Sequence, residues 1–172
     1  MQAEAKLRND LVKAINAKLE ETILGSEAGS DVQPAGIFNG VTPVEISTFK
    51  DICDLEAGVE AENVFGEMNY IIDPKAKAAL RNMARSADNT RLVMENGEID
   101  GTKAFVTTNI AENNVVYGDF SNIVIGQWGS LDILVDPYTQ AINGCVRLVV
   151  NGYFDAKLVR PEALAFGQID NA

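Results

Sequence analysis

The sequence predicts an α+β fold in which a long N-terminal helix precedes a mostly antiparallel β-sheet. Apolar residues recur every four positions from residue 7 to residue 23, which is the spacing of a single helical stripe. From residue 91 onward, short apolar runs are separated by glycine and other turn-forming residues, which is typical of strands. Helical patterns therefore come early in the chain and strand patterns late, as in α+β proteins.

The long helix is predicted over residues 3–24. Gly25 follows its last apolar residues and is well suited to end the helix, because glycine accepts a left-handed backbone conformation without strain. We expect the apolar stripe to pack against the late strands, in which case truncation of Ile15 to alanine would cost about 2–5 kcal/mol. The stripe consists of Leu7, Leu11, Ile15, Leu19 and Ile23.

A loop and a second helix are expected next. Turn-forming residues dominate residues 26–43, which predicts the loop. The helix is predicted over residues 49–58, with Thr48 as its N-cap. Ile52 and Leu55 are spaced to form its buried face.

A short buried strand is predicted over residues 68–72, directly before a third helix. Asp73 is suited to the N-cap of this helix and Pro74 to its first helical position, where the missing N–H costs nothing. The apolar positions of the helix continue to Met83, and residues 85–89 are expected to close it.

The rest of the chain is predicted to consist mainly of strands. A polar turn at residues 95–101 is expected to connect the first two of them as a hairpin. Asn151-Gly152 predicts a bulge within the longest β-rich run, and Pro161 is expected to end that run before a short tail. The strand candidates are residues 91–94, 104–108, 115–117, 122–126 and 131–135, followed by the run 144–160.

The composition is that of a globular protein and disfavours several classes of function. Of the 172 residues, 47% are apolar, which suffices for a core. The net charge of −11 disfavours phosphate backbones and anionic membranes, so neither sequence-specific nucleic-acid binding nor membrane association is expected. The charged N-terminus lacks the apolar segment of a signal peptide. Cys53 and Cys145 are predicted to be reduced, buried thiols.

Catalytic motifs are nearly absent from the sequence. There is no histidine, which excludes histidine-dependent triads and histidine-ligated metal sites. A Ser-x-x-Lys pattern, from Ser47 to Lys50, resembles the nucleophile motif of β-lactamases and penicillin-binding proteins. The Ser-Asp-Asn and Lys-Thr-Gly motifs that accompany it in those enzymes are missing. We therefore interpret the pattern as the start of the second helix and predict no catalytic residue.

Two further groups of residues have structural interpretations. Glu95, Glu98 and Asp100 lie in a glycine-containing turn but lack the ligand spacing of a calcium loop, so we expect a solvated turn, no metal and no cofactor. Four aromatic residues lie where lysine and arginine are absent, between Lys103 and Arg147. A platform for nucleic-acid bases would need such cations, so core or subunit-interface packing is expected. The four are Tyr117, Phe120, Trp128 and Tyr138.

Five segments occur in the same order as in a known family. Residues 118–121 read Gly-Asp-Phe-Ser and precede an apolar strand, and residues 159–163 read Val-Arg-Pro-Glu-Ala. Residues 69–74 form an apolar strand that runs into Asp-Pro. Residues 19–37 end a helix and enter a Pro-Ala-Gly-Ile loop, and residues 97–109 contain a further strand. Together they resemble tailed-phage major capsid proteins of the Hong Kong 97 type over nearly the whole chain.

This resemblance implies a truncated Hong Kong 97-type capsid fold, with an axial lobe and part of a peripheral lobe. The spine-type helix and loop of the peripheral lobe would occupy residues 1–36. The axial lobe would occupy residues 37–127, and the returning strands of the peripheral lobe residues 128–172. The N-terminal arm and extended loop of the family would precede this segment.

The resemblance also implies a function. The chain would be a structural subunit of a phage or prophage icosahedral capsid, located in the virion, made in the bacterial host cytoplasm, and not an enzyme. Its partners would be other copies of itself, as hexamers and pentamers of the full-length protein, and scaffold, protease or portal proteins. Two alternatives stay open: a shell protein of a cellular nanocompartment with the same fold, and a small serine–lysine hydrolase that uses Ser47 and Lys50.

Overall fold

The computed structural model describes residues 2–86 and 89–170, and these form three α-helices and eleven β-strands. Within these ranges no helix is both long and apolar enough to cross a membrane. The helices are α1 (Gln2–Ile23), α2 (Phe49–Ala61) and α3 (Pro74–Leu80). The strands are β1 (Val44–Ile46), β2 (Asn69–Ile72), β3 (Ala84–Ser86), β4 (Asn89–Leu92), β5 (Met94–Glu95), β6 (Glu98–Ile99), β7 (Thr102–Val106), β8 (Asn114–Gly118), β9 (Ile123–Asp136), β10 (Arg147–Leu158) and β11 (Leu164–Ile169).

The starts of α2 and α3 lie where the sequence predicts, because the residues beside each start specify it. Thr48 is the N-cap of α2, and the Asp51 carboxylate accepts hydrogen bonds from the Ser47 amide at 3.0 Å and the Thr48 amide at 2.8 Å. The bond from the Ser47 amide, with those from Thr48, holds the pKa of Asp51 below its ordinary value. At α3, Asp73 is the N-cap and Pro74 the first helical residue.

The predicted end of α3 is wrong. The sequence pattern extends the helix to Met83 and closes it at residues 85–89, but the helix ends before Met83 and the chain enters β3, which pairs with β4. Arg85 lies in β3 and donates from Nε to the carbonyl oxygen of Leu92 at 3.2 Å, while its guanidinium pairs with Asp100. These contacts with residues distant in sequence replace the helical conformation that the apolar spacing favours.

The central sheet contains seven strands in the order β1-β11-β8-β2-β7-β6-β5. The β1–β11 and β2–β7 pairs are parallel and the other neighbours are antiparallel, so the sheet is mostly antiparallel as predicted. Apolar side chains cover both faces, which is why every residue of β8 is buried. The cluster beneath α2 and α3 includes Ile52, Leu55, Val59, Tyr70, Ile72, Ala76, Leu80 and Val115. The cluster beneath the end of α1 includes Leu24, Phe38, Ile110, Val116 and Phe166.

Strand β11 replaces the short tail that the sequence predicts after Pro161. It pairs with β1 on one side and β8 on the other, and so lies well inside the central sheet. Its sequence contains Gly167 and Gln168, and Ile169 is its only β-branched residue, so its local strand signal is weak. Gly167 leaves room for the side chain of Ile46, whose Cδ1 would lie 2.5 Å from a β-carbon added there.

The region 95–101 contains two tight turns instead of the single predicted polar turn. Asn96-Gly97 connects β5 to β6, with φ of 53° and 86°, and Asp100-Gly101 connects β6 to β7, with φ of 48° and 91°. Asn-Gly and Asp-Gly favour two-residue hairpin turns because both central residues need positive φ. The predicted hairpin of residues 91–94 with 104–108 is therefore wrong: β7 pairs with β6 and β2.

Strands β9 and β10 form a separate antiparallel ribbon. The two strands predicted at residues 122–126 and 131–135 are one continuous strand, β9. The predicted bulge at Asn151-Gly152 is confirmed, since the strand register shifts between Asn151 and Tyr153. At the base of the ribbon Ile123 pairs with Leu158.

Helix α1 packs on this ribbon less tightly than the sequence predicts. Ile15 and Leu19 face Val150 and Phe154 of β10 across a cleft, and all four are half-buried, whereas Leu7 is 48% exposed. The packing direction is the predicted one, but the predicted loss of 2–5 kcal/mol for Ile15→Ala assumed a buried site.

We therefore expect Ile15→Ala to lower the free energy of unfolding by only about 1–2 kcal/mol, because half-buried methylene groups lose less on truncation. Urea denaturation would measure it. Ile52→Ala is the matched control, since Ile52 is 1% exposed in the core and should cost about 2–5 kcal/mol. Equal losses from the two variants would contradict the half-buried position of Ile15.

Candidate interaction surface

The segments 118–121 and 159–163 meet at the base of the ribbon, although the whole ribbon separates them in sequence. The Asp119 amide donates to the carbonyl oxygen of Ala163 at 3.0 Å, and the Val159 amide donates to that of Asn122 at 2.9 Å. Here the chain leaves β8 for β9 and returns from β10 to β11. These two motifs therefore form the junction between the ribbon and the central sheet.

Gly118 and Asp119 are both required by the close packing of this junction. Gly118 has a φ of 144°, and a β-carbon there would lie 2.0 Å from the carbonyl oxygen of Ala163. The buried Asp119 carboxylate accepts from the Ser121 amide at 3.0 Å and from Nδ2 of Asn122 at 3.0 Å. Its other side packs against the backbone of the 62–68 loop, where glycine at position 66 leaves room for it.

Arg160 joins the junction to helix α2. Its guanidinium donates to the carbonyl oxygen of Glu62 and, at 3.3 Å, to that of Asn63. These carbonyls lie at the C-terminal end of α2, where the helix dipole favours a cation. The base of the ribbon thus contacts helix α2 as well as the strands of the central sheet.

One face of the ribbon points away from α1 and carries exposed aromatic side chains. Tyr153 precedes Phe154, which faces α1, so Tyr153 and its cross-strand partner Trp128 lie on the opposite face. Trp128 is 61% exposed and Tyr153 71% exposed. The Trp128 ring lies across Gly126, where a β-carbon would come within 3.2 Å of it. We call the exposed apolar residues of this side, Val124, Trp128, Leu134 and Tyr153, the outer ribbon face.

The face toward α1 is also incompletely covered. Ile125, Ile133 and Val135 remain exposed on that face. Isoleucines at the base, Ile123 and Ile125, line a groove of about 450 Å³ with Leu19 and other apolar residues of α1. Large apolar side chains are therefore exposed on both faces of a two-stranded ribbon.

The loop that joins β9 to β10 continues this apolar character. Ile142 is fully exposed, and Tyr138 and Val146 are exposed as well. The Asp136 carboxylate shapes the loop by accepting hydrogen bonds from the Thr139 hydroxyl and from the Tyr138 amide. The Thr139 hydroxyl, together with the amides, holds the pKa of Asp136 below its ordinary value.

The structure separates the four aromatic residues of this region into two kinds. Tyr117 lies in the core against Tyr70, with ring centroids 4.8 Å apart, and Phe120 is half-buried beneath α1. Trp128 and Tyr138 are exposed on the ribbon. The alternation of residues along a strand shows which side chains share a face. Whether that face is exposed depends on whether another element packs on it, which the alternation does not show.

The Ser47–Lys50 pattern has no catalytic geometry. Ser47 lies just before α2, and Lys50 forms an exposed ion pair with Asp54, which raises the pKa of the lysine through the hydrogen bond and the charge of that carboxylate. A lysine held in the protonated form cannot accept a proton from a serine hydroxyl. The pattern therefore marks the start of α2.

The acidic turn and the cysteines have structural surroundings. Asp100 pairs with Arg85, and Glu95 lies 3.9 Å from Arg91. In the described part of the chain no group of three or more Cys, Asp or Glu side chains is arranged to hold a metal. The prediction that both cysteines are buried is wrong: Cys53 is half-buried, and Cys145 is exposed in the loop of the ribbon.

Comparison with known proteins identifies the family. The model of the phage capsid family matches residues 1–169. The chain belongs to the phage capsid family. A curated relative, the major capsid protein of Halomonas phage phiHAP-1, is 25% identical over 98% of this chain. The chain spans only 29% of the length of that relative.

Solved capsid structures share the fold of this phage capsid family chain. The capsid of a native GTA particle matches 96% of the chain, which covers 71% of that protein, with a TM-score of 0.73 and 18% identity. A structure from Gordonia phage Cozz matches 95% of the chain, which covers 62% of that protein, with a TM-score of 0.68 and 16% identity. The prediction of a Hong Kong 97-type capsid fold is confirmed.

Proposed function

We propose that the chain is a structural subunit of a phage or prophage icosahedral capsid and associates with other copies of itself. The observation that carries this proposal is the ribbon. A two-stranded ribbon is marginal in water on its own, and contiguous exposed apolar surface is typical of interaction sites. The exposed apolar residues of the ribbon and its flanks are Val124, Ile125, Trp128, Ile133, Leu134, Val135, Tyr138, Ile142, Val146, Tyr153 and Val159.

A copy of the same chain is the partner that this surface fits best. The stretch between Lys103 and Arg147 contains no cation, which disfavours nucleic acid as the occupant. Tryptophan and tyrosine are the residues most enriched at the centres of protein–protein interfaces. The curated relative is a phage major capsid protein. This supports a phage or prophage shell over a nanocompartment. In our proposal the chain is made in the host cytoplasm and located in the virion.

The division into lobes belongs to this proposal. Residues 1–36 would belong to the peripheral lobe, residues 37–127 to the axial lobe, and residues 128–172 to the peripheral lobe again. We amend the last boundary and assign β11 to the axial lobe, because β11 lies between β1 and β8 in the central sheet. In the full-length protein the subunits would form hexamers and pentamers, with scaffold, protease or portal proteins as further partners.

We also propose that the role is structural and not enzymatic. The protonated Lys50 argues against the serine–lysine alternative, and the chain has no histidine.

Removal of the aromatic side chains of the outer ribbon face is expected to weaken self-association. In the Trp128→Ser/Tyr153→Ser double variant, the dissociation constant should rise at least tenfold, since each hot-spot aromatic contributes roughly 2 kcal/mol or more. Sedimentation velocity over a concentration series would measure it, and the melting temperature should stay near that of the wild type because both side chains are exposed.

Phe65→Ser is the matched control, because Phe65 is 88% exposed but lies outside the ribbon, in the loop after α2. It should associate as the wild type does. A monomeric wild type at all concentrations would contradict the proposed function, and unchanged association of the double variant would contradict the role of the outer ribbon face.

A further inference from the structure

A carboxylate without a cationic partner lies between α2 and the central sheet. Glu56, in the middle of α2, is half-buried, and its Oε1 accepts a hydrogen bond of 2.5 Å from the hydroxyl of Tyr70. Tyr70 lies in β2 and is fully buried. The bond therefore connects the helix directly to the centre of the sheet.

The groups that face Glu56 are neutral or negative. Tyr117 of β8 lies beside Tyr70 and interacts with Glu60, one turn further along α2. Asp100, in the turn between β6 and β7, approaches from another side. The half-buried Cys53 lies on the preceding turn of α2.

The nearby cation is engaged elsewhere. Arg85 of β3 pairs with Asp100, donates to the carbonyl oxygen of Leu92, and lies over the ring of Phe49 at 5.1 Å from its centroid. None of the described residues places a cation against Glu56 in compensation. Among the residues that the structure describes, the Tyr70 hydroxyl is the hydrogen-bond donor to this carboxylate.

The surroundings of Glu56 raise the pKa of its carboxyl group. Burial is the main cause that raises its pKa above the ordinary value of 4.5, the Tyr70 hydrogen bond opposes this, and Asp100 and Glu60 add to it. The pKa of Tyr70 is raised by burial and by Glu56, and burial raises that of Tyr117 to about 12, so both hydroxyls stay neutral.

We propose that Glu56 is a titratable latch that docks α2 more tightly onto the central sheet under mildly acidic conditions than under neutral ones. The neutral carboxyl keeps its bond to Tyr70 without the cost of a buried charge, whereas the ionised form is desolvated and repelled by Asp100 and Glu60. This property belongs to the subunit itself and does not rest on the proposed function.

The direction of the pH dependence follows from linkage. The native state binds the proton of Glu56 more strongly than the unfolded state does, because the pKa is raised in the native state. The stabilisation is fully present below the ordinary pKa of 4.5 and is lost as the pH rises through the raised pKa.

Thermal unfolding of Glu56→Gln and wild type at pH 5 and pH 8 tests the proposal. The wild type should melt at least about 2 °C higher at pH 5. Glutamine keeps an acceptor for Tyr70 without the charge, so the variant should lose most of this difference and melt above the wild type at pH 8. Glu62→Gln removes one charge from an exposed residue directly after α2 and should keep the wild-type difference.

Amide hydrogen exchange tests whether the pH-dependent stabilisation is located in α2. In the wild type, amides of α2, corrected for the intrinsic pH dependence of exchange, should be better protected at pH 5.5 than at pH 7.5. Equal protection at both pH values would overturn the proposal, even if the variant failed to fold. Parallel melting profiles of wild type and Glu56→Gln would overturn it as well.

Discussion

Replacement of Gly118 by alanine is expected to lower the free energy of unfolding by more than about 3 kcal/mol. The φ of 144° is a conformation that residues with a β-carbon rarely adopt. The added methyl group would also lie 2.0 Å from the carbonyl oxygen of Ala163. Relief of this clash requires β8 and β11 to separate where Gly118 pairs with Leu164, and the hydrogen bond from Asp119 to Ala163 would break.

Gly97→Ala separates the two causes of this loss. Gly97 also has a positive φ, 86°, but nothing lies within 4 Å of a β-carbon placed there. Its replacement should therefore cost only the backbone strain, about 1–2 kcal/mol. Urea denaturation of both variants would measure the difference. If Gly118→Ala lost no more stability than Gly97→Ala, the close approach of Gly118 to the Ala163 carbonyl oxygen would not contribute to the loss of stability.

The helices could be predicted because their signals are local. Thr48 and Asp73 precede α2 and α3 by one residue, and the residues that complete each cap lie within the next few positions. The end of α3 could not be predicted in this way. The contacts of Arg85 with Leu92 and Asp100 depend on how distant strands fold back, and the helical spacing up to Met83 does not contain that information.

The strands show the same contrast between local and distant causes. The bulge at Asn151-Gly152 follows from residue type and is present. Strand β11 owes its place to β1 and β8 on either side, while its own sequence has a weak strand pattern. The pairing of strands that lie far apart in the chain is thus the part of this fold that is hardest to predict from a single sequence.

The interaction surface was accessible to sequence reasoning only in part. The sequence between Lys103 and Arg147 contains no cation, which disfavours a nucleic-acid platform at Trp128 and Tyr138. Strand alternation does not reveal whether the face that carries them is covered. The motif at 118–121 was recognisable as a family feature, yet its physical reason is the contact with 159–163. Glu56 carried no signal in the sequence, because its environment is made by β2, β8 and the turn before β7.

Removal of the Asp73 carboxylate is expected to lower the free energy of unfolding by about 2–4 kcal/mol. Asp73 is 6% exposed, and its Oδ2 accepts from the Lys75 amide at 2.9 Å and from the Asn113 amide at 3.1 Å. The first bond caps α3, and the second ties the turn before β8 to the end of β2. Asp73→Ala would leave two amide donors without this acceptor in a buried place, and urea denaturation would measure the loss.

Asp73→Asn distinguishes the acceptor from the charge. Both amides donate to the same oxygen of Asp73, so an asparagine side chain can present its single carbonyl oxygen to both. Its loss should stay below about 1 kcal/mol, since asparagine is as good an N-cap as aspartate. Losses of equal size in Asp73→Ala and Asp73→Asn would show that the negative charge, rather than the shared acceptor, holds the start of α3 against the sheet. The hydrogen-bond geometry predicts a much smaller loss for Asp73→Asn, because one oxygen accepts from both the first turn of α3 and the turn before β8.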